Sequence, residues 1–479
     1  MKKVSFVSLF LILVSAAMLA QSIPVPLIYQ PLYPASVEPG HAAFTLRVRG
    51  TGFQSGSVVK WNGKPLETKF LSKSLLVAVV PAAAVAVAAT GSVTVTNPGT
   101  IASNVIYLTV RRPSAGVQVG TDPAVIEGGQ ITIGDFNNDG KPDLGVSPTS
   151  SYGSISADTY LSLGNGSFTE VEGGTSLYGG PQYLSGNISA DFNNDGNLDL
   201  AVCSSSGGPN QSCQVFLGDG EGGLAAPTTD TTGYAGTGVA ADVDRDGTLD
   251  ALTTYWDGYG SYLYFQHGNG DGTFVLNSYF VTLNYYSGGI PVVGDFNGDG
   301  KLDVAVAGYE SNFVAVLLGN GDGTFQKEVD YPISGSGWAS VVADINGDGK
   351  LDILTACSNG TAAVLLGNGD GTFMSGATSA LPFETETNLQ IADLNGDGKL
   401  DLATVTADNS GNQTLNIALG NGDGTFQSPI AIPAGQVVNA SGLLAIADFN
   451  HDGYLDFAIS GSIIQSASQS SVLLQVPGK

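Results

Sequence analysis

The chain has 479 residues, 43 acidic against 17 basic side chains, and a formal net charge of −26, a balance that excludes a nucleic-acid binder because phosphate recognition needs a basic footprint. Its 67 glycines lie well above ordinary usage, yet 42% of residues are hydrophobic, which excludes a disordered acidic chain and points to many short strands joined by tight turns. Three cysteines exclude a disulfide-built scaffold.

Residues 1–22 read as a signal peptide. Lys2 and Lys3 precede an apolar run that ends in Ala16, Ala17 and Ala20 before Gln21. That run is short for a bilayer span and has the charged-then-apolar layout of an export signal, with cleavage expected near residues 20–22. No later stretch is long and apolar enough to span a membrane. The mature protein is expected to be exported, secreted or at the cell surface, and monomeric.

Residues 23–112 alternate strand-like runs with turn residues, as in AFTLRVRGTGF (43–53), SVVKWNGKPL (57–66) and GSVTVTNPG (91–99). Asn62-Gly63 is a two-residue hairpin signal, and about ninety residues without a helix signature suit a small β-sandwich. The RGTGF turn, the VVKWNGKPL hairpin, the VTNPG stretch and the ending at 103–110 resemble the IPT/TIG family of immunoglobulin-like domains. The resemblance implies a spacer or adhesion module, with Trp61 as core.

From residue 113 to 479 the chain repeats. The pattern D-x-[ND]-x-D-G-x-x-D occurs seven times, beginning at Asp135, Asp191, Asp242, Asp295, Asp344, Asp393 and Asp448, at intervals of 49 to 56 residues. An apolar strand enters each loop, an alternating one leaves it, a third ends in a glycine turn of the LGNGDGTF type, and a fourth leads on. Four strands per repeat is the size of a propeller blade. The expected fold is therefore all-β: a seven-bladed β-propeller of four-stranded blades behind a small immunoglobulin-like sandwich. Only two strands follow the seventh loop, so a strand near 116–120 is expected to complete the last blade and close the ring.

Each loop presents oxygen ligands at positions 1, 3, 5 and 9 and a backbone carbonyl at 7, around a glycine at 6 that lets the chain reverse. Calcium takes six to eight such oxygens, and the same first half appears in helix-flanked calcium loops. The candidate ligands are Asp135, Asn137, Asp139, Lys141 and Asp143; Asp191, Asn193, Asp195, Asn197 and Asp199; and Asp242, Asp244, Asp246, Thr248 and Asp250. In the fourth to sixth loops they are Asp295, Asn297, Asp299, Lys301 and Asp303; Asp344, Asn346, Asp348, Lys350 and Asp352; and Asp393, Asn395, Asp397, Lys399 and Asp401. The seventh set is Asp448, Asn450, Asp452, Tyr454 and Asp456. The position-seven residues contribute carbonyls, and their lysine side chains are expected to point away. Up to seven calcium ions are expected, one per blade. The loops hold 22 of the 43 acidic residues, and such clusters repel unless a cation intervenes. The third, with Asp244 where its siblings have asparagine, should be the most charged.

DxNxDGxxD, the apolar run after it and LGNGDGTF together resemble the FG-GAP/VCBS repeats of integrin α-chain propellers and of secreted bacterial proteins. The resemblance implies calcium loops between the first two strands of each blade and no single activity. On that strand order the calcium loops share a face with the glycine turns. Large aromatics collect on the other face, among them Tyr152, Tyr178, Tyr183, Tyr255, Tyr234, Trp256, Tyr259, Tyr285, Tyr286, Tyr309 and Trp338, which nominates it for a glycan or protein ligand.

Catalysis has little support. His41, His267 and His451 fall in separate elements, and no nucleophile-elbow or HExxH motif occurs. A polysaccharide lyase or hydrolase on a propeller scaffold is the alternative, but an acidic-sugar lyase needs a basic cluster that this chain is poorly supplied to build; a structural envelope component is the third reading. Cys203 and Cys213 flank a short hairpin and are placed for a disulfide; Cys357 has no evident partner.

Overall fold

A computed structural model describes residues 23–120, 124–127, 129–148, 154–177, 184–204, 213–226, 238–256, 260–283, 287–309, 311–380, 389–408, 412–436, 443–460 and 469–476. The signal-peptide reading falls outside them. Among the described residues, apart from one 3-10 turn at Ala82–Val85, the regular structure is β throughout.

Residues 23–112 form two packed sheets. One orders its strands Leu27–Ile28, Phe44–Thr51, Leu75–Val80, Glu67–Ser72; the other runs Ser36–Val37, Ile106–Val110, Ala89–Thr96, Val58–Trp61, Lys64–Pro65. Alternation in FTLRVRGT sends Leu46 and Val48 into a core with Val59, Leu76, Val93 and Leu108, all fully buried. Asn62 and Gly63 both have positive φ (48° and 71°), so the expected two-residue hairpin forms. Trp61 is core, 6% exposed, against the bare backbone of Gly91.

Among the described residues, seven four-stranded antiparallel sheets follow, with one two-stranded pair, Ser154–Ser156 and Thr175–Leu177. The fourth is representative: Ser287–Gly294 pairs with Asp303–Tyr309, that strand with Phe313–Leu317, and that with Val329–Pro332. The first strands contact one another in sequence order, from Gly129–Gly134 through Leu184–Ala190, Gly238–Ala241, Ser287–Gly294, Gly337–Ala343 and Leu389–Ala392 to Leu444–Ala447, which returns to Gly129–Gly134. Cores form between adjacent sheets. Leu252, Leu263 and Phe265 of the third, for example, join Val304, Val306 and Leu317 of the fourth, each such side chain contributing about 1.5–3 kcal/mol by burial.

The last sheet joins the two ends of the repeat region, with Ala124–Glu127 beside Gln469–Leu473, then Asp456–Ile459 and Leu444–Ala447. The closing strand is thus 124–127, not the expected 116–120. The earlier segment continues the same edge as a single bridge, Val119 with Gln475, because a second short stretch is all that the remaining partner leaves to pair. Cys203 and Cys213 stand opposite each other in register and are disulfide-bonded, while Cys357 is buried and free.

Removing residues 469–479 deletes the strand that ties the ends together. The shortened chain should lose the cooperative thermal transition of the intact one, followed by circular dichroism; unchanged melting would show that closure contributes nothing.

Candidate metal centre

The seven loops share one backbone shape, set by their sequence. Position four has φ of 57° to 77° and position six φ of 83° to 97°, so two left-handed residues reverse the chain within one turn. Glycine fills position six in every copy, and position four is glycine, asparagine, Arg245 or His451. At the fifth loop, Gly349 also lies where any side chain would strike the Arg49 guanidinium.

The position-nine aspartates are fully buried in all seven loops. Each accepts at least two backbone N–H groups, one from position two of its own loop and one from the end of the third strand, and Asp250, Asp352 and Asp401 accept a third from position three. Asp303 takes Phe296 N and Gly319 N, both at 2.8 Å, and Asp143 takes Phe136 N at 3.0 Å and Ser162 N at 2.7 Å despite Pro142 beside it. Burial pushes these carboxyls up to about 6 at Asp352, about 7 at Asp143, Asp199, Asp303 and Asp401, and about 8 at Asp250 and Asp456. The neighbouring aspartates of each loop push in the same direction.

The remaining ligands close the loop on itself. Asp295 accepts from Asp299 N (3.0 Å) and Gly300 N (2.9 Å), Asn297 Oδ1 from Asp299 N (2.9 Å), and Asp299 Oδ1 from Lys301 N (2.9 Å). Among the described residues, the third loop is where three of these carboxylates, at positions one, three and nine, come together. Two observations fit this set to a divalent cation. Ligand oxygens of Asp242, Asp244 and Asp250 lie within 4.8 Å of one another, and Asp344 Oδ1 is buried with no hydrogen-bond partner. All the partners of Asp344 reach its other oxygen, Oδ2, so this one is left without a donor.

The position-seven lysines do not all point away. Lys141 Nζ reaches Asp139 Oδ2 at 2.6 Å, Lys301 comes to 3.5 Å of Asp299 and Lys350 to 3.8 Å of Asp348, because a side chain two residues on from an aspartate in a tight turn falls back over it.

The sandwich is not a detached spacer, since it rests on the loop-bearing face. Its first segment crosses one loop about every four residues. Val25 N donates to Asp242 Oδ2 (2.8 Å), Tyr29 Oη accepts from Asp295 N (2.8 Å), Tyr33 donates its hydroxyl to Asp344, and Ser36 Oγ donates to Gly396 O (3.1 Å). Farther along the sandwich, Thr90 Oγ1 donates to Asp448 Oδ2 at 2.6 Å, and Arg49 pairs with Asp344 at 3.3 Å. Arg111, 1% exposed, stacks 4.0 Å over the Tyr454 ring and donates to Leu394 O at 2.9 Å. A cavity of about 460 Å³ lies beneath, walled by Val239, Val293, Val341 and Ile391 of the inner strands and roofed by Ile28 and Ile106.

Relationships to known proteins agree with this geometry. The family described as FG-GAP-like repeat matches six overlapping windows, 135–202, 191–253, 242–306, 295–355, 344–404 and 393–459, together more than half of the chain. The chain belongs to the FG-GAP-like repeat family. An IPT/TIG domain matches residues 30–110. No curated protein matches the sequence. Among solved structures, the chain is similar to an Agrocybe aegerita lectin described as recognising non-reducing terminal N-acetylglucosamine (18% identity, 79% of this chain and 96% of that one, TM-score 0.44). It is also similar to a Pseudomonas aeruginosa periplasmic gluconolactonase (14% identity, 73% and 93%, TM-score 0.45) and to a Bacteroides ovatus auxiliary nutrient binding protein (9%, 95% and 98%, TM-score 0.35). At these scores none bears on what the FG-GAP-like repeats of this chain bind.

Of the aromatics nominated for a ligand face, Tyr152, Tyr178, Tyr183, Tyr234, Tyr259, Tyr285 and Tyr286 lie outside the described residues. The backbone places Trp256 and Tyr309 at the ends of strands that begin at Asp250 and Asp303, and Trp338 near the start of the strand that leads to Asp344. All three positions are at the strand ends remote from the loops. His267 is a site residue that motif reading passed over. Its Nδ1 stands 2.8 Å from Asp244 Oδ2, and the available signal was that it replaces the leucine preceding the glycine turn in sibling blades.

The buried position-nine carboxyls hold their protons more tightly folded than unfolded, where the ordinary value is ~3.9. Their folded values are raised, so cation-free stability is greatest below about pH 4, falls as pH rises toward about 8, and levels off above it. In chelator, the melting temperature should therefore be higher at about pH 5 than at about pH 8. An equal or lower value at the acid end would show that these groups are ionised at no cost.

Proposed function

We propose that the chain is an exported, calcium-stabilised ligand-binding protein, with cations held in the FG-GAP-like loops and an extracellular glycan or protein bound on the opposite face. The observation that supports this reading is the docking of the sandwich on the loop-bearing face, which takes that face out of contention for a ligand. In each loop the side chains at positions one, three, five and nine and the carbonyl at seven would hold the ion. Bound there, the cation supplies positive charge among carboxylates that otherwise repel, so the loops act in stability and not in recognition. The Cys203–Cys213 disulfide supports an oxidising compartment, in keeping with the N-terminal signal. Among the described residues, the walls of the central cavity carry no lysine or arginine of the kind that an acidic-sugar lyase requires.

Chelation should lower the melting temperature by at least about 5 °C, equivalent to roughly 5 kcal/mol for a chain of this size, with recovery on adding calcium. Unchanged melting would remove the structural role of the ion. Trp256→Ala and Trp338→Ala should each weaken binding to a hit from a glycan or extracellular-protein array about tenfold or more, by loss of an aromatic contact, while leaving the calcium-dependent melt intact. Undiminished binding in both variants would move the ligand site off this face.

A further inference from the structure

The third loop differs from its six siblings in two independent ways, and the two differences meet in space. Position three is Asp244 where the other loops have asparagine, and the third strand ends in His267 where other blades carry leucine. In several of those blades the leucine packs one blade against the next, as Leu217, Leu318 and Leu366 do by lying against the glycines Gly272, Gly371 and Gly424 of the neighbouring turn, whereas in the first blade Leu161 makes the contact and Leu163 is exposed. In the third blade Phe265, two residues earlier, takes over that contact by lying against Gly323. His267 is thereby released from inter-blade packing, and its ring lies among the loop carboxylates. Nδ1 is 2.8 Å from Asp244 Oδ2 and 3.5 Å from Asp250 Oδ1, and Nε2 is 3.6 Å from Asp246 Oδ2. Ligand atoms of Asp244, Asp246 and His267 all lie within 4.8 Å of one another.

We propose that the third loop, completed by His267, is a site for a transition-metal dication of the zinc class, while its sibling loops take calcium. An imidazole nitrogen is a poor ligand for calcium, which selects oxygen, and a good one for zinc and its neighbours. Carboxylate and imidazole are both zinc ligands, and three protein ligands is the number with which proteins hold zinc while leaving a position for water or an outside ligand. The site is half-buried, with His267 at 32% side-chain exposure, so the metal can exchange with solvent. The inference rests on the loops being cation sites, and its test is separable from that reading.

The intact chain, stripped with chelator and returned to millimolar calcium, is titrated with cobalt(II) as a spectroscopic substitute for zinc. One equivalent should bind with a visible ligand-field absorption, and zinc should displace it. His267→Leu, which restores the residue of the sibling blades, should abolish the band and weaken cobalt binding about 100-fold or more, with the calcium-dependent melt unchanged. Asp246→Asn, which keeps the imidazole but removes one carboxylate, should weaken binding at least about tenfold. A missing band in the unaltered chain, or a band undiminished in His267→Leu, would overturn the assignment. If the band appears and is lost in His267→Leu while calcium fails to shift the melt, the zinc-class site stands and the calcium reading alone falls.

Discussion

The structure depends on a buried carboxylate repeated seven times. The aspartate at position nine has no exposed surface, and its two oxygens are taken up by backbone N–H groups from separate places, the start of its own loop and the end of the third strand. That pair of bonds locks the first hairpin of each sheet to its outer half. An apolar residue there would leave two buried N–H groups without partners, and a glutamate would not fit the same spacing. The arrangement also fixes where negative charge accumulates, because the strand that begins at position nine carries its aspartate inward beside those at positions one and five.

Closure and cover follow from this placement. Position one ends the innermost strand, so the first aspartates ring the centre of one face, and the N-terminal sandwich is laid across that ring. Its first segment meets successive loops at Val25, Tyr29, Tyr33 and Ser36, each contributing one hydrogen-bonding group. Arg111 and Thr90 then reach the sixth and seventh loops. Groups from the sandwich thus share oxygens with the proposed cation sites, so that a cation filling a loop would also set the surface on which the sandwich rests.

Much of this was legible in the residues. The all-β class, the four-strand repeat, the Asn62-Gly63 hairpin and the burial of Trp61 follow from alternation, turn chemistry and spacing, which are local properties. The termini shared by one blade were legible in outline, since two strands after Asp448 cannot make a sheet of four; the choice of 124–127 over 116–120 was not, because both segments are short and apolar enough to pair. The folded-back lysines were missed because a side chain's direction over a turn depends on where the preceding aspartate points. His267 stood in view as a break in a leucine pattern, but its meaning lay in what Phe265 does to the neighbouring blade.

What the sequence by itself determined is the repeat and its chemistry: seven loops whose aspartates, asparagines and glycines can adopt only one tight, oxygen-lined reversal, set between strands of fixed period. What only the tertiary structure decided is which face is covered and which odd residues meet. Spacing along a chain encodes contacts within a repeat, where a few residues and their φ angles suffice. The approach of Thr90 to Asp448, or of Arg49 to Asp344, spans hundreds of residues, and depends on the rigid packing of two domains that no local pattern records.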